Sequence, residues 1–201
     1  LDKYSEGDYV LISKVDESII IGNEKFDLYT NLCRNFVSEG YKNLESFEKE
    51  YLPKFNFKVK DVKITKQITM IYGRNTVVVV YKIKTVNEPV KLILAPIVSF
   101  RDFHTMKTNQ TYNINQMIEG RKVRLEIDGN SHTPIYTYVS EGEYIKHEND
   151  TFENIYYLKE DERGFIPEEN LAVSGRYEIY IPEKMPPIKK GASYTRKKNN
   201  V

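Results

Sequence analysis

The sequence predicts an all-β fold, a large antiparallel two-sheet β-sandwich. Short segments alternating apolar with polar residues, about twelve of them, recur with turn signals every eight to twelve residues. No stretch holds the 3.6-residue apolar period through two or more helical turns. Hydrophobic residues make up 40% of the chain, enough to fill the space between two sheets.

Tyr9 to Ser13 and Glu17 to Ile21 read as strands, and Gly22-Asn23 leads through a type II′ turn into Glu24 to Tyr29. Thr30 to Gly40 reads as irregular chain or a short helical turn. Leu44 to Tyr51 fits either period, but the alternating Phe55, Phe57 and Val59 tip the neighbourhood towards strand. Val62, Ile64, Ile68, Met70 and Tyr72 continue the pattern, with a break in phase near Gln67 that predicts a bulge. Tyr72-Gly-Arg-Asn75 is a turn, and Thr76 to Lys84 follows as strand. Its β-branched run, Val77 to Val80, predicts cover on both faces. Asn87-Glu-Pro89 turns the chain into a strand from Val90 to Phe100. Further strands are expected at Tyr112 to Ile118, Val123 to Ile127 and Ile135 to Val139, with a turn at Asp128-Gly-Asn130. Phe152 to Leu158 and Arg176 to Ile181 close the series, and Pro167 to Asn170 fits one helical turn. The folded body is placed at residues 1–182, with residues 183–201 as a basic linker or tail containing Pro, Gly, Ser and Asn.

The formal charge of +1 is unevenly spread: residues 183–201 carry +5, which leaves −4 on residues 1–182. A mildly acidic body speaks against nucleic acid as a partner, and no apolar run is long enough to span a membrane. Cys33 is the only cysteine, which excludes an internal disulfide and suits a reducing, cytoplasmic compartment. The chain opens on Leu1 rather than methionine, so a fragment or a processed or engineered chain is expected. No phosphate loop, dinucleotide fingerprint or metal-ligand spacing occurs, and the three histidines, His104, His132 and His147, are irregularly spaced. No cofactor and no metal are therefore expected.

Scaffold and chemistry meet where the strand from Val90 ends in Arg101-Asp102-Phe103-His104. This run resembles the N-terminal domain of the bacterial and archaeal type of glycogen debranching enzyme (amylo-α-1,6-glucosidase), whose strand ends in Arg-Asp-Tyr/Phe-His. Other blocks resemble that family in order: Val10-Leu-Ile-Ser-Lys-Val-Asp-Glu17, Phe26-Asp-Leu-Tyr-Thr-Asn31 and Glu39-Gly-Tyr-Lys-Asn-Leu-Glu-Ser-Phe47. Gly73-Arg-Asn-Thr76, Tyr156-Tyr-Leu-Lys-Glu-Asp-Glu-Arg-Gly164 and Glu169-Asn-Leu171 follow, so the resemblance covers roughly residues 8–182. The family's opening strand, expected before Tyr4, has no counterpart here. The resemblance implies a supersandwich related to galactose mutarotase. It also implies a parent glycoside hydrolase acting on glycogen or maltooligosaccharides, with its catalytic acids in a C-terminal (α/α)6 barrel.

Each candidate site has two readings. Arg101 and Asp102 can bind sugar hydroxyls while Phe103 stacks on a glucose ring, with His104 beside them; the same residues can anchor a loop or an interdomain seam. Tyr156, Tyr157 and Arg163 flank the acids Glu160, Asp161 and Glu162, which resemble paired hydrolytic carboxylates but equally suit a solvated turn. Because the resemblance implies that the acids belong to the barrel, no catalytic residue is nominated. Sixteen tyrosines and no tryptophan fit either a glucan groove or half-buried strand positions. The expected function is a non-catalytic domain that packs on the catalytic domain and helps shape the α-glucan cleft. A stand-alone carbohydrate-binding module and an aldose-epimerase-like enzyme using His104 or His132 are the alternatives.

Overall fold

Pairing with β9 along its whole length makes β1 (Tyr9–Ile21) one continuous strand where two had been expected. Register shifts against its neighbour near Ile12 explain why the sequence pattern breaks there. The computed structural model describes residues 8–84, 88–108, 111–183 and 188–191. Gly22, at φ +59°, opens the expected two-residue turn into β2 (Glu24–Asp27), so that Ile21 pairs with Glu24. The stretch expected to be irregular holds two short strands, β3 (Leu32–Cys33) and β4 (Phe36–Val37), and then a 3-10 turn at Gly40–Asn43. A Cβ on Gly40 would lie 2.2 Å from the Tyr29 carbonyl oxygen, so only glycine lets these segments touch.

β5 (Leu44–Lys49), β6 (Pro53–Val59), β7 (Val62–Met70) and β8 (Val77–Lys84) form successive hairpins. No bulge interrupts β7 at Gln67: its pairing runs unbroken against both neighbours. The polar residue in its apolar row is Lys66, whose ammonium lies 2.5 Å from the buried Glu17 carboxylate. Nor is β8 covered on both faces. Val77 is exposed and Val78 to Val80 are only half-buried: Val79 packs on the margin of the main core, and Val78 and Val80 lie on the opposite face, with Thr69 and Gln67 as their cross-strand partners.

β9 (Val90–Asp102) extends through Arg101. β10 (Ile114–Glu119), β11 (Lys122–Ile127) and β12 (Asn130–Tyr138) form a small meander, with positive φ at Asp128 and Gly129 in the expected turn. β13 (Glu143–Tyr156) runs into α1 (Leu158–Glu162), a five-residue helix. The helical turn thus precedes its expected place at Pro167, because Glu168 already starts β14 (Glu168–Ile181). β15 (Ile188–Gly191), inside the stretch expected to be linker, pairs with β8. The expected turn at Asn87 falls partly outside the described residues.

Every sheet among the described residues is antiparallel. Seven strands pair in the order β2-β1-β9-β14-β13-β3-β4, five as β15-β8-β7-β6-β5, and three as β10-β11-β12. Ile19, Leu92, Val98 and Ile179 from the large sheet share one apolar cluster with Val59, Val62 and Ile64 of the second and Val123 and Leu125 of the third. Each such side chain contributes about 1.5–3 kcal/mol on burial, so this shared interior holds the all-β sandwich together. Cys33, Ile97, Ile155 and Leu171 form a second, smaller cluster.

Candidate functional site

Backbone geometry aims the residues at the end of β9. Between Val98 and Arg101 the strand carries one extra residue against β1, and buried Phe100 adopts φ +43°. A bulge of this kind bends a strand and re-aims the side chains beyond it. Phe100 and Val98 point into the main core. Ser99 and Arg101 meet instead on a carboxylate from the neighbouring strand, Glu169.

Glu169 is fully buried, and its partners meet the requirement that a buried charge be paired and hydrogen-bonded. Its Oε1 accepts from Ser99 Oγ at 2.7 Å and from Arg101 Nε, while Oε2 accepts from the Tyr157 hydroxyl at 2.9 Å. Burial, then the Glu169 charge, push the Tyr157 phenol well above its ordinary value, so it remains a proton donor. Beside this group the Tyr112 hydroxyl lies 2.7 Å from the Ser99 carbonyl and 2.8 Å from the Asn170 carbonyl. Burial, first, and the charge of Glu169 raise its pKa as well.

From this anchor Arg101 reaches outward. Its Nη1 donates to the Asp102 and Phe103 carbonyls at 3.0 and 3.1 Å. Asp102 Oδ1 accepts from the His104 backbone N–H at 2.8 Å, and Phe103 N–H donates to the Asp8 carbonyl at 2.8 Å. The turn is therefore tied from below and from the side. What it presents outward is the Phe103 ring, 60% exposed, with the exposed His104 ring packed edge-on against it at 5.2 Å.

The structure thus brings Arg101 and Tyr157 together through Glu169, and sets Asp102, Phe103 and His104 on the turn above. Tyr156 projects to the other side of β13, where a hydrogen bond to Asp161 raises its pKa. Arg163 is exposed beyond α1, bonded to Glu160 at 3.2 Å and lying 5.0 Å from the Phe165 ring centre. Sequence reasoning passed over Glu169 as a site residue. The available signal was a carboxylate two residues before Leu171 in an alternating strand, hence on the same face as a buried leucine.

A shallow cleft of about 290 Å³ opens beside β3 and β13, lined in part by Arg34, Phe36, Phe152 and Asn154. His132 and His147 stand elsewhere: the His132 N–H donates to Asn130 Oδ1 at 2.9 Å, and His147 Nε2 lies 2.6 Å from Arg176 Nη1. Among the described residues no group of three or more His, Cys, Asp or Glu side chains could hold a metal ion. Nor, among them, is any helix long and apolar enough to cross a membrane.

Residues 2–186 match the family model described as glycogen debranching enzyme N terminal. No curated protein matches the chain. A match over this much of the sequence, on an all-β fold, settles the affiliation: the chain belongs to the family of glycogen debranching enzyme N-terminal domains.

Proposed function

We propose that this domain packs on a C-terminal (α/α)6 catalytic barrel of the same polypeptide and helps shape its α-glucan cleft, with the Asp102–His104 turn facing the sugar. The parent protein is a cytoplasmic amylo-α-1,6-glucosidase, the hydrolytic acids belong to the barrel, and this domain contributes no catalytic residue. The body at residues 1–182 supplies every described strand except β15, and residues 183–201 serve as the connection, with β15 tying it back to the five-stranded sheet. One observation carries the reading: an exposed aromatic and an exposed imidazole stand on a turn fixed by a buried ion pair. Rigid backbone support of an exposed Phe ring suits stacking on the apolar face of glucose, because the turn itself need not be ordered on binding.

The test is Phe103→Ala together with His104→Ala in the polypeptide that carries both domains. Loss of one stacking contact lowers affinity for maltooligosaccharide about ten-fold in calorimetry. Stability stays within about 0.5 kcal/mol, since both side chains are exposed. Unchanged glucan affinity and turnover would remove the cleft role. Glucan binding by the 201-residue chain alone would instead favour a self-sufficient binding module.

A further inference from the structure

The five-stranded sheet is apolar on its inner face even where no other part of the described structure covers it. Direct cross-strand partners share a face, so the pairings Phe47↔Phe55, Phe55↔Lys66 and Lys66↔Tyr81 define one row across the sheet. On one side of that row lie the buried pairs Phe57↔Ile64 and Val59↔Val62, which belong to the main core. On the other side the same face continues with Ile68↔Val79 and then Met70↔Val77. Here the cover ends: Phe47 is 52% exposed, Val77 55% and Met70 68%.

The opposite face shows what water selects in this sheet. It pairs Lys58 with Lys63, Lys63 with Lys84, and Asn56 with Thr65. An antiparallel sheet with one wet face alternates polar outward and apolar inward. The overhang keeps the inward pattern while standing in the open, so it is built to be covered.

The path of the chain says by what. β15 runs antiparallel to β8, from Ile188 opposite Ile83 to Gly191 opposite Val80. It therefore travels towards the Val77 end of β8. The side chains left in the open there are Phe47, Met70 and Val77, while Phe55 and Val79 beside them still pack against the margin of the main core.

We infer that the overhang of Phe47, Phe55, Ile68, Met70, Val77 and Val79 is the seat of the domain that follows in the same polypeptide. This rests on the two-domain reading above and adds the surface through which the two parts meet. The interface continues the sandwich core outward, so the incoming partner is an apolar patch and not a charged one.

Hydrogen exchange tests it, comparing the 201-residue chain with the polypeptide carrying both domains. Amides across residues 44–55 and 66–80 exchange about ten-fold or more slowly in the two-domain protein. Met70→Glu and Val77→Glu, each made alone so that no two carboxylates face each other across the Met70↔Val77 pair, abolish that protection and leave the melting temperature of the 201-residue chain within a few degrees of the parent's, since both side chains are exposed. Equal exchange in the two contexts overturns the inference. So does protection that rises with protein concentration, which marks a second copy as the occupant. If the glutamate variants release the domains while Phe103→Ala leaves glucan affinity intact, the cleft role falls and the docking face stands. The converse pattern removes the docking face and keeps the cleft role.

Discussion

Glu169 and Glu17 are both buried carboxylates on the seven-stranded sheet, yet they are paired in different directions. Glu169 takes its partners from the sheet it belongs to and its margin: Ser99 and Arg101 on β9, and Tyr157 just after β13. Glu17 reaches across to the other sheet, where Tyr81 Oη donates at 2.6 Å and Lys66 Nζ stands at 2.5 Å. The first arrangement stiffens a surface turn; the second sets the level at which two sheets meet. Their cations differ in the same sense. Arg101 is 11% exposed and bonded along its fork, whereas Lys66 is 16% exposed and carries a compact, flexible ammonium. One acid therefore belongs to the candidate site and the other to the scaffold.

The sharpest test of this contrast is removal of each acid. Glu169→Ala leaves Arg101 buried without its counter-charge and is expected to cost about 3–5 kcal/mol in urea denaturation. Amide exchange at Phe103 and His104 should rise with it, because Arg101 no longer has a fixed base from which to hold the Asp102 and Phe103 carbonyls. Glu17→Ala costs less, about 1.5–3 kcal/mol, because Lys66 can swing its ammonium to solvent. The turn at Asp102–His104 should not respond. Equal costs, or a loosened turn in the Glu17 variant, would break the comparison.

Tyr157→Phe gives the smallest expected effect, about 1 kcal/mol at neutral pH from one lost hydrogen bond. It has a pH signature as well. The Tyr157 phenol is raised above its ordinary value of 10.0, so near that pH the folded chain keeps a proton that the unfolded chain releases. Stability is complete below pH 10 and declines as pH climbs through it. Tyr112 and Tyr177 are shifted in the same direction, with burial the leading cause. The variant should therefore show a shallower alkaline decline than the parent, by one proton. An unchanged slope would mean that Tyr157 does not hold its proton against Glu169.

Much of the fold was legible in local pattern. Alternation marked β6, most of β9 and β11; glycine signals marked the turns at Gly22 and Gly129; and the absence of a helical period matched a structure whose α1 has five residues. These features depend on neighbours within a few residues, through φ/ψ preference and face alternation, so the amino-acid order alone decides them. The ordered blocks around Arg101 likewise sufficed to indicate the family.

What the tertiary structure alone decided depends on contacts between distant residues. Lys66 looked like a phase error near Gln67, and only its meeting with Glu17 on another sheet makes it a regular inward position. Val77 to Val80 looked fully covered, because nothing local tells a strand where its partner sheet stops. Arg101 and Glu169 stand 68 positions apart, and Tyr81 and Glu17 stand 64 apart. No local propensity selects between such partners. The free energy of leaving a charge unpaired in a dry interior does, and it acts only once the sheets have closed around it.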